Sequence, residues 1–210
     1  MAIFSFSNLK GGVGKSSTCV HFTYWLSQIL KQKTAVIDAD AAQSTSKWLG
    51  VLGLDIPVEC VTDPDQLAER IPQLAKDYFH VVVDNAGNSS EATRMTVMNS
   101  DLVVIPITPT GLDMATTVGA VRLVKQMQRD GKPQAGVFLN RAVRNTKLLK
   151  EAQMLLENLP HLVAFRTVIY QRQQIADAYL QQKTVWGLKE TDARSNYEQL
   201  FQEILKVVEV

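Results

Sequence analysis

Lys10-Gly11-Gly12-Val13-Gly14-Lys15-Ser16-Ser17 decides how this chain is read. The segment lies between an apolar run, Ile3–Ser7, and an amphipathic helical pattern, Ser16–Lys31. A glycine-rich turn between strand and helix, closed by Lys-Ser, is a phosphate-binding loop in its proper context. Gly11, Gly12 and Gly14 let the backbone fold tightly around Val13 and turn N–H groups inward onto anionic oxygens. The helix opening near Ser16 adds the positive end of its dipole. Lys15 is placed to contact the β- and γ-phosphates, the Ser16 hydroxyl to ligate Mg²⁺, and Ser17 to touch the α-phosphate. A glycine-rich turn without a ligand is the alternative, and the spacing argues against it.

Outward from this loop, short apolar runs alternate with longer amphipathic segments. The strands expected are Ile3–Ser7, Thr34–Asp38, Phe79–Asp84, Leu102–Ile107, Ala135–Asn140 and Val163–Ile169, with Val58–Val61 a weaker edge strand. Ala35-Val36-Ile37 and Val81-Val82-Val83 are apolar on both faces, which suits the interior of a parallel sheet covered by helices. Beyond the first helix, helical patterns cover Glu91–Asn99, Asp113–Gln128, Lys147–Asn158, Gln173–Gln181 and Asn196–Val208. Another starts at Asp63-Pro64, with Pro72 expected to bend or split it. Strand and helix in strict alternation imply a doubly wound, mainly parallel α/β sheet. Residues 1–210 show no repeat or linker and read as one domain.

Composition narrows the function classes. A hydrophobic fraction of 46% and a charged fraction of 20% are ordinary for a globular protein. The net charge of +1 commits the chain to neither nucleic acid nor membrane, so any DNA affinity must come from a local basic patch. Two cysteines, Cys19 and Cys60, make neither a disulfide framework nor a CxxC metal site. The N-terminus lacks the pattern of a signal peptide, and no apolar run approaches transmembrane length. A cytoplasmic location is expected.

Acidic residues at strand ends complete the candidate site. Asp38 and Asp40 close the second strand, at the carboxyl edge where open α/β sheets bind ligands. Asp84 ends a valine-rich strand in the manner of a Walker B aspartate, holding a water on Mg²⁺. Asn85-Ala86-Gly87 follows as the segment that would sense the γ-phosphate.

Lys10, a second lysine ahead of the glycines, resembles the deviant Walker A box of the ParA/MinD family of ATPases. The resemblance spans nearly the whole chain and is nearest to the small ParF-like partition ATPases. Trp48, Thr108–Asp113 and the tract Ala164–Gln173 are similar to segments of that group. It implies that Lys10 reaches the nucleotide held by a partner subunit, neutralising charge in trans as an arginine finger does. It assigns Asp40 to orienting the attacking water, Asp38 to organising the Mg²⁺ shell, and Asn140 to the adenine edge. One departure stands out: Ala41-Ala42 follows Asp40 where the family has Pro-Gln, which bears on the hydrolysis rate.

The resemblance further implies an ATP-dependent homodimer that binds nucleoid DNA without sequence preference. A small adaptor of ParG/ParB type, or an organelle adaptor, would stimulate slow hydrolysis and so position a cargo such as a plasmid, chromosome or carboxysome. Candidate DNA contacts are Arg141, Arg144, Lys147, Arg166, Arg172, Lys183, Lys189 and Arg194, among acids that include Glu151, Asp177, Glu190 and Asp192. Three other readings share the loop. A MinD-like membrane ATPase would use the amphipathic last helix, but Glu198, Glu203 and Glu209 against Lys206 do not suit anionic lipid, and core packing is expected instead. An iron–sulfur reductase subunit of nitrogenase type needs cysteines at the dimer face. A nucleotide-binding scaffold with little hydrolysis is kept open by Ala41-Ala42.

Overall fold

The computed structural model describes residues 1–87, 90–189 and 191–208; the side chains of residues 112–117 and 191 lie outside the description, as do Glu190 and Glu209. Its strands are β1 (Ala2–Phe6), β2 (Thr34–Asp38), β3 (Val58–Cys60), β4 (His80–Asp84), β5 (Leu102–Ile107), β6 (Gln134–Leu139) and β7 (Val163–Ala164). They form one sheet in the order β3-β2-β4-β1-β5-β6-β7, and every pairing is parallel. The winding reverses at β1, so the loop that follows it lies at the crevice where such sheets hold ligands.

Alternation along the strands builds a core on both faces. Phe4, Phe6, Val36, Val82, Val104 and Phe138 pack against α1 (Lys15–Tyr24) and α8 (Thr191–Val208). Ala35, Ile37, Val81 and Val83 turn the other way onto α3 (Pro64–Asp77), and Val103, Ile105 and Val137 onto α5 (Gly111–Met127) and α6 (Lys147–Asn158). Strands apolar on both sides are thereby covered on both sides, as the sequence leads one to expect. The remaining helices are α2 (Ser44–Val51), α4 (Glu91–Met98) and the short α7 (Gln173–Asp177).

Several details differ from expectation: α2 answers to no helical pattern read from the sequence, α7 ends at Asp177 and not Gln181, and α8 starts at Thr191 and not Asn196. Pro72 does not split α3, which runs unbroken from Pro64 to Asp77. Pro72 is exposed while Leu67, Ile71 and Leu74 are buried, so its ring lies on the solvent side of the helix and leaves the packed face intact. The first helix gives way after Tyr24 to a π-helical turn over Trp25–Ile29, closed by Leu30 N–H on the Trp25 carbonyl at 2.9 Å. The last strand is assigned only over Val163–Ala164, shorter than expected. Phe165 N–H and Ile169 N–H still reach the Val137 and Leu139 carbonyls of the β6 side at 2.9 Å, with Glu203 of α8 engaging the backbone between them. The Glu203 carboxylate accepts from Arg166 N–H at 2.6 Å and Thr167 N–H at 3.1 Å.

The same helix settles how its apolar stripe is used. Tyr197, Leu200, Phe201 and Ile204 are at most 1% exposed, so that face is interior. Among the described residues no helix is long and apolar enough to cross a membrane.

Candidate nucleotide-binding site

The loop after β1 turns sharply where the sequence supplies glycine. Gly14 has φ 93° and caps α1, and Gly12 has φ 77°, backbone shapes that cost other residues dearly. Thr18 closes the first helical turn by donating to the Gly14 carbonyl from both its amide, at 3.0 Å, and its hydroxyl, at 2.8 Å. The loop and first turn line a cleft of about 560 Å³, where unpaired N–H groups at a helix start can meet a ligand. Gly11, Gly12, Gly14, Lys15, Ser16 and Ser17 form its floor, and Asp40, Ala42, Lys47 and Gly87 its rim.

Lys15 is only 7% exposed, with its ammonium 3.3 Å from the Lys10 carbonyl. Burial pushes its pKa down, opposed by the carboxylates of Asp84 and then Asp40. A desolvated ammonium against an anionic wall is held ready for a more highly charged partner. Lys10 is half-buried and does not line the cleft that Lys15 enters. Its backbone N–H is fastened to the Asn8 carboxamide at 3.0 Å, while the amide nitrogen of Asn8 donates to Pro106 at the end of β5. Asn8 thereby anchors the root of the loop, a role that no sequence motif marks.

Asp84 lies at zero exposure at the end of β4, and burial lifts its pKa to about 6. The hydroxyls of Ser16 and Thr45 pull the other way, with Thr45 Oγ1 donating to Asp84 Oδ2 at 2.7 Å. Oδ1 of Asp84 is buried without a protein hydrogen bond. An orphaned carboxylate oxygen next to Ser16 at the foot of a phosphate cleft fits a divalent cation and its water.

Asp38, Asp40 and the residues after them form one folded loop. Asp38 Oδ1 accepts from Asp40 N–H at 3.2 Å, and Oδ2 from Ser46 N–H in the first turn of α2 at 2.8 Å. Both oxygens of Asp38 therefore brace this loop. Asp40, half-buried on the cleft rim, accepts from Ala42 N–H at 3.0 Å. Gly87 approaches from the other side, where a Cβ would sit 3.3 Å from the Lys15 ammonium nitrogen.

Asn140 meets the loop from beneath. Its amide nitrogen donates to the Val13 carbonyl at 2.8 Å, and its carbonyl accepts from Arg141 N–H at 2.9 Å. Asn140 also lines a neighbouring cavity of about 340 Å³ with Ser17, Trp48 and residues Ile169–Gln173. This cavity adjoins the cleft at Gly14 and Ser17, where a base would lie if phosphates filled the cradle. Arg141, read from the sequence as a DNA contact, hydrogen-bonds the Gly12 carbonyl at 2.7 Å. Arg172 and Arg144 converge on Asp192, at 3.2 and 3.9 Å, and Arg144 also stacks over Tyr170.

Behind the loop an aromatic cluster ties α1 to α8. His21 lies parallel to Tyr197 with centroids 4.7 Å apart and meets Trp48 edge-on at 5.3 Å. Its Nδ1–H donates to the Ser17 carbonyl at 2.6 Å, and burial lowers its pKa to about 4, so the ring is neutral. Cys19, on the same helix, is fully buried, whereas Cys60 is exposed at the end of β3.

Comparison with known proteins agrees with this geometry. Residues 4–185 match the family described as the CobQ/CobB/MinD/ParA nucleotide binding domain. Two proteins named maintenance of carboxysome distribution protein A are similar in sequence. That of Gloeobacter kilaueensis is 34% identical over 119 residues, covering 54% of this chain and 52% of the relative. That of Halothiobacillus neapolitanus is 26% identical over 161 residues, covering 73% of this chain and 72% of the relative. The match thus spans only about half the length of the first. Among solved structures, apo McdA of Cyanothece superposes with a TM-score of 0.82 at 18% identity, over 98% of this chain and 99% of that one.

Proposed function

The chain belongs to the CobQ/CobB/MinD/ParA nucleotide-binding family, and from that premise we propose that it is a single-domain ATP hydrolase that positions or segregates a cargo as an ATP-dependent homodimer. The observation that carries the reading is the division between its two lysines. Lys15 is buried and lines its own cleft, while Lys10 is half-buried and is not among the residues lining it, a division that supports a role for Lys10 toward a partner's nucleotide.

In this reading the amides of residues 11–17 and the Lys15 ammonium bind the phosphates, and Asn140 faces the adenine. Ser16 and Asp84 would hold Mg²⁺, with Asp38 behind them, and the ion would screen phosphate charge when bound. Asp40, on the rim, orients the attacking water. Lys10 from the facing subunit neutralises charge as it builds on the transferred phosphoryl group. Gly87 lies close enough to Lys15 for the segment 85–87 to respond to the γ-phosphate, and that response drives pairing.

Arg144, Lys147, Arg166, Arg172, Lys183, Lys189 and Arg194 supply the basic surface for non-specific nucleoid DNA. Pairing doubles a patch that Asp192 and Glu151 partly neutralise in one subunit. A small adaptor, of partition or organelle type, stimulates hydrolysis and releases the dimer. The cargo is a plasmid, chromosome or protein organelle, the carboxysome among them, and the protein acts in the cytoplasm. The covered face of α8 disfavours the membrane reading, and the sealed Cys19 disfavours an iron–sulfur cluster at the dimer face.

The test is light scattering of the purified chain with Mg²⁺ and a non-hydrolysable ATP analogue, alongside phosphate release with ATP. Wild type is expected to dimerise and hydrolyse slowly. Lys10→Ala is expected to bind nucleotide but neither pair nor hydrolyse. Pairing that ignores nucleotide would overturn the reading.

A further inference from the structure

The loop between β2 and α2 carries Asp40 past two exposed alanines, Ala41 and Ala42. Neither side chain restrains the backbone, so the position of Asp40 depends on whatever else fastens the loop. Hydrogen bonds do so at almost every step. Asp40 N–H goes to Asp38 Oδ1 at 3.2 Å, Ala42 N–H to Asp40 Oδ1 at 3.0 Å, and Gln43 N–H to the Asp40 carbonyl at 2.9 Å. Gln43 then takes φ 53° to enter α2 without a side-chain cap. One further contact crosses the loop: Lys47 Nζ donates to the Ala42 carbonyl at 2.7 Å.

We infer that Lys47 is a positioning residue that sets Asp40 for the hydrolytic step, an inference that rests on the hydrolase reading above. The geometry is specific. Ala42 is gripped at both of its backbone polar groups, its N–H by the Asp40 carboxylate and its C=O by Lys47. Movement of Ala42, held through the peptide on either side of it, is therefore transmitted to the carboxylate, and Lys47 connects it to a helix whose Trp48 and Leu49 are buried in the core. Lys47 also borders the same cleft as Lys15, Ser16 and Asp40, so the clasp closes next to the phosphate-binding floor. Charge-assisted bonds of this kind are shorter and stronger than neutral ones. The N–H of Ala41 makes no hydrogen bond among the described residues, so a proline there would sacrifice none and would stiffen the same loop by another route.

Steady-state hydrolysis by the full chain with Mg²⁺ tests this in wild type, Lys47→Met, Lys47→Arg and the double variant Lys47→Met/Ala41→Pro. Lys47→Met is expected to lower kcat about tenfold with KM within about twofold of wild type, the signature of an interaction expressed in the transition state. Lys47→Arg, which keeps a charged donor, should retain most of the rate, and Ala41→Pro should restore part of what Lys47→Met loses. Unchanged melting temperature would separate positioning from loss of fold. Wild-type kcat in Lys47→Met, or raised KM with kcat preserved, overturns the inference, the latter because the lysine would then be reading the nucleotide directly. A wild-type chain that hydrolyses nothing overturns the function above together with it. The two failures are thus distinguishable.

Discussion

The amide nitrogen of Asn140 stands 2.3 Å from the point that a Cβ on Gly14 would occupy. Strand β6 and the phosphate loop are therefore fitted together with no room for a side chain between them. Gly14→Ala meets two obstacles, this clash and a backbone at φ 93°. It is expected to cost about 2–4 kcal/mol in urea denaturation and to abolish nucleotide binding in fluorescence titration.

The reverse change is also informative. Asn140→Ala would leave the Val13 carbonyl without its 2.8 Å donor. A loss of about 1–3 kcal/mol of stability is expected, measured by denaturant midpoint. Weaker binding of ATP and ADP alike should accompany it, since the loop serves both.

Burial raises the Asp84 carboxyl pKa, and Thr45, after Ser16, opposes that rise by donating to it at 2.7 Å. Thr45→Val keeps the shape and removes the donor, so the carboxyl pKa should climb further above its present value near 6. Magnesium-dependent phosphate release should then shift its acid limb upward in pH. A pH profile unchanged from wild type would count against this assignment.

His21 makes stability depend on pH in a definite direction. Its folded pKa is about 4 against an ordinary 6.5, so the unfolded chain takes a proton that the folded chain refuses. Its contribution is complete above pH 6.5 and is lost as pH falls toward 4, about 3 kcal/mol in all. Asp84 works with opposite sign, because its raised pKa lets the folded chain bind a proton first. The two are separated by comparing wild type with His21→Phe, which retains an aromatic ring against Tyr197. The stability difference between them should change by about 3 kcal/mol between pH 7 and 4.

Much of this was legible in the residues. Apolar runs without interruption announced a parallel sheet, and Lys10 to Ser17 announced the cradle, because both depend on local chemistry. Pairwise matches across the chain were not. Nothing in Thr45 or Asn8 advertises that they reach Asp84 and Pro106, since tertiary folding alone brings them there, and the local Lys47–Ala42 contact depends on how the turn enters α2. Arg141 is exposed, as its charge suggests, but its hydrogen bond to the Gly12 carbonyl is not visible in the sequence. The Glu203 carboxylate that engages the backbone just after β7 is equally invisible in the sequence, since it arrives from α8 nearly forty positions later in the chain.

That carboxylate has a consequence for solubility. β7 is the outermost strand on its side, and donors left open along such a margin recruit strands from other molecules. Glu203 occupies the Arg166 and Thr167 donors just beyond that strand and places a negative charge at its end. Trimming the final helix, or fusing a reporter in a way that frays it, would uncover a sticky border and favour aggregates over well-behaved protein.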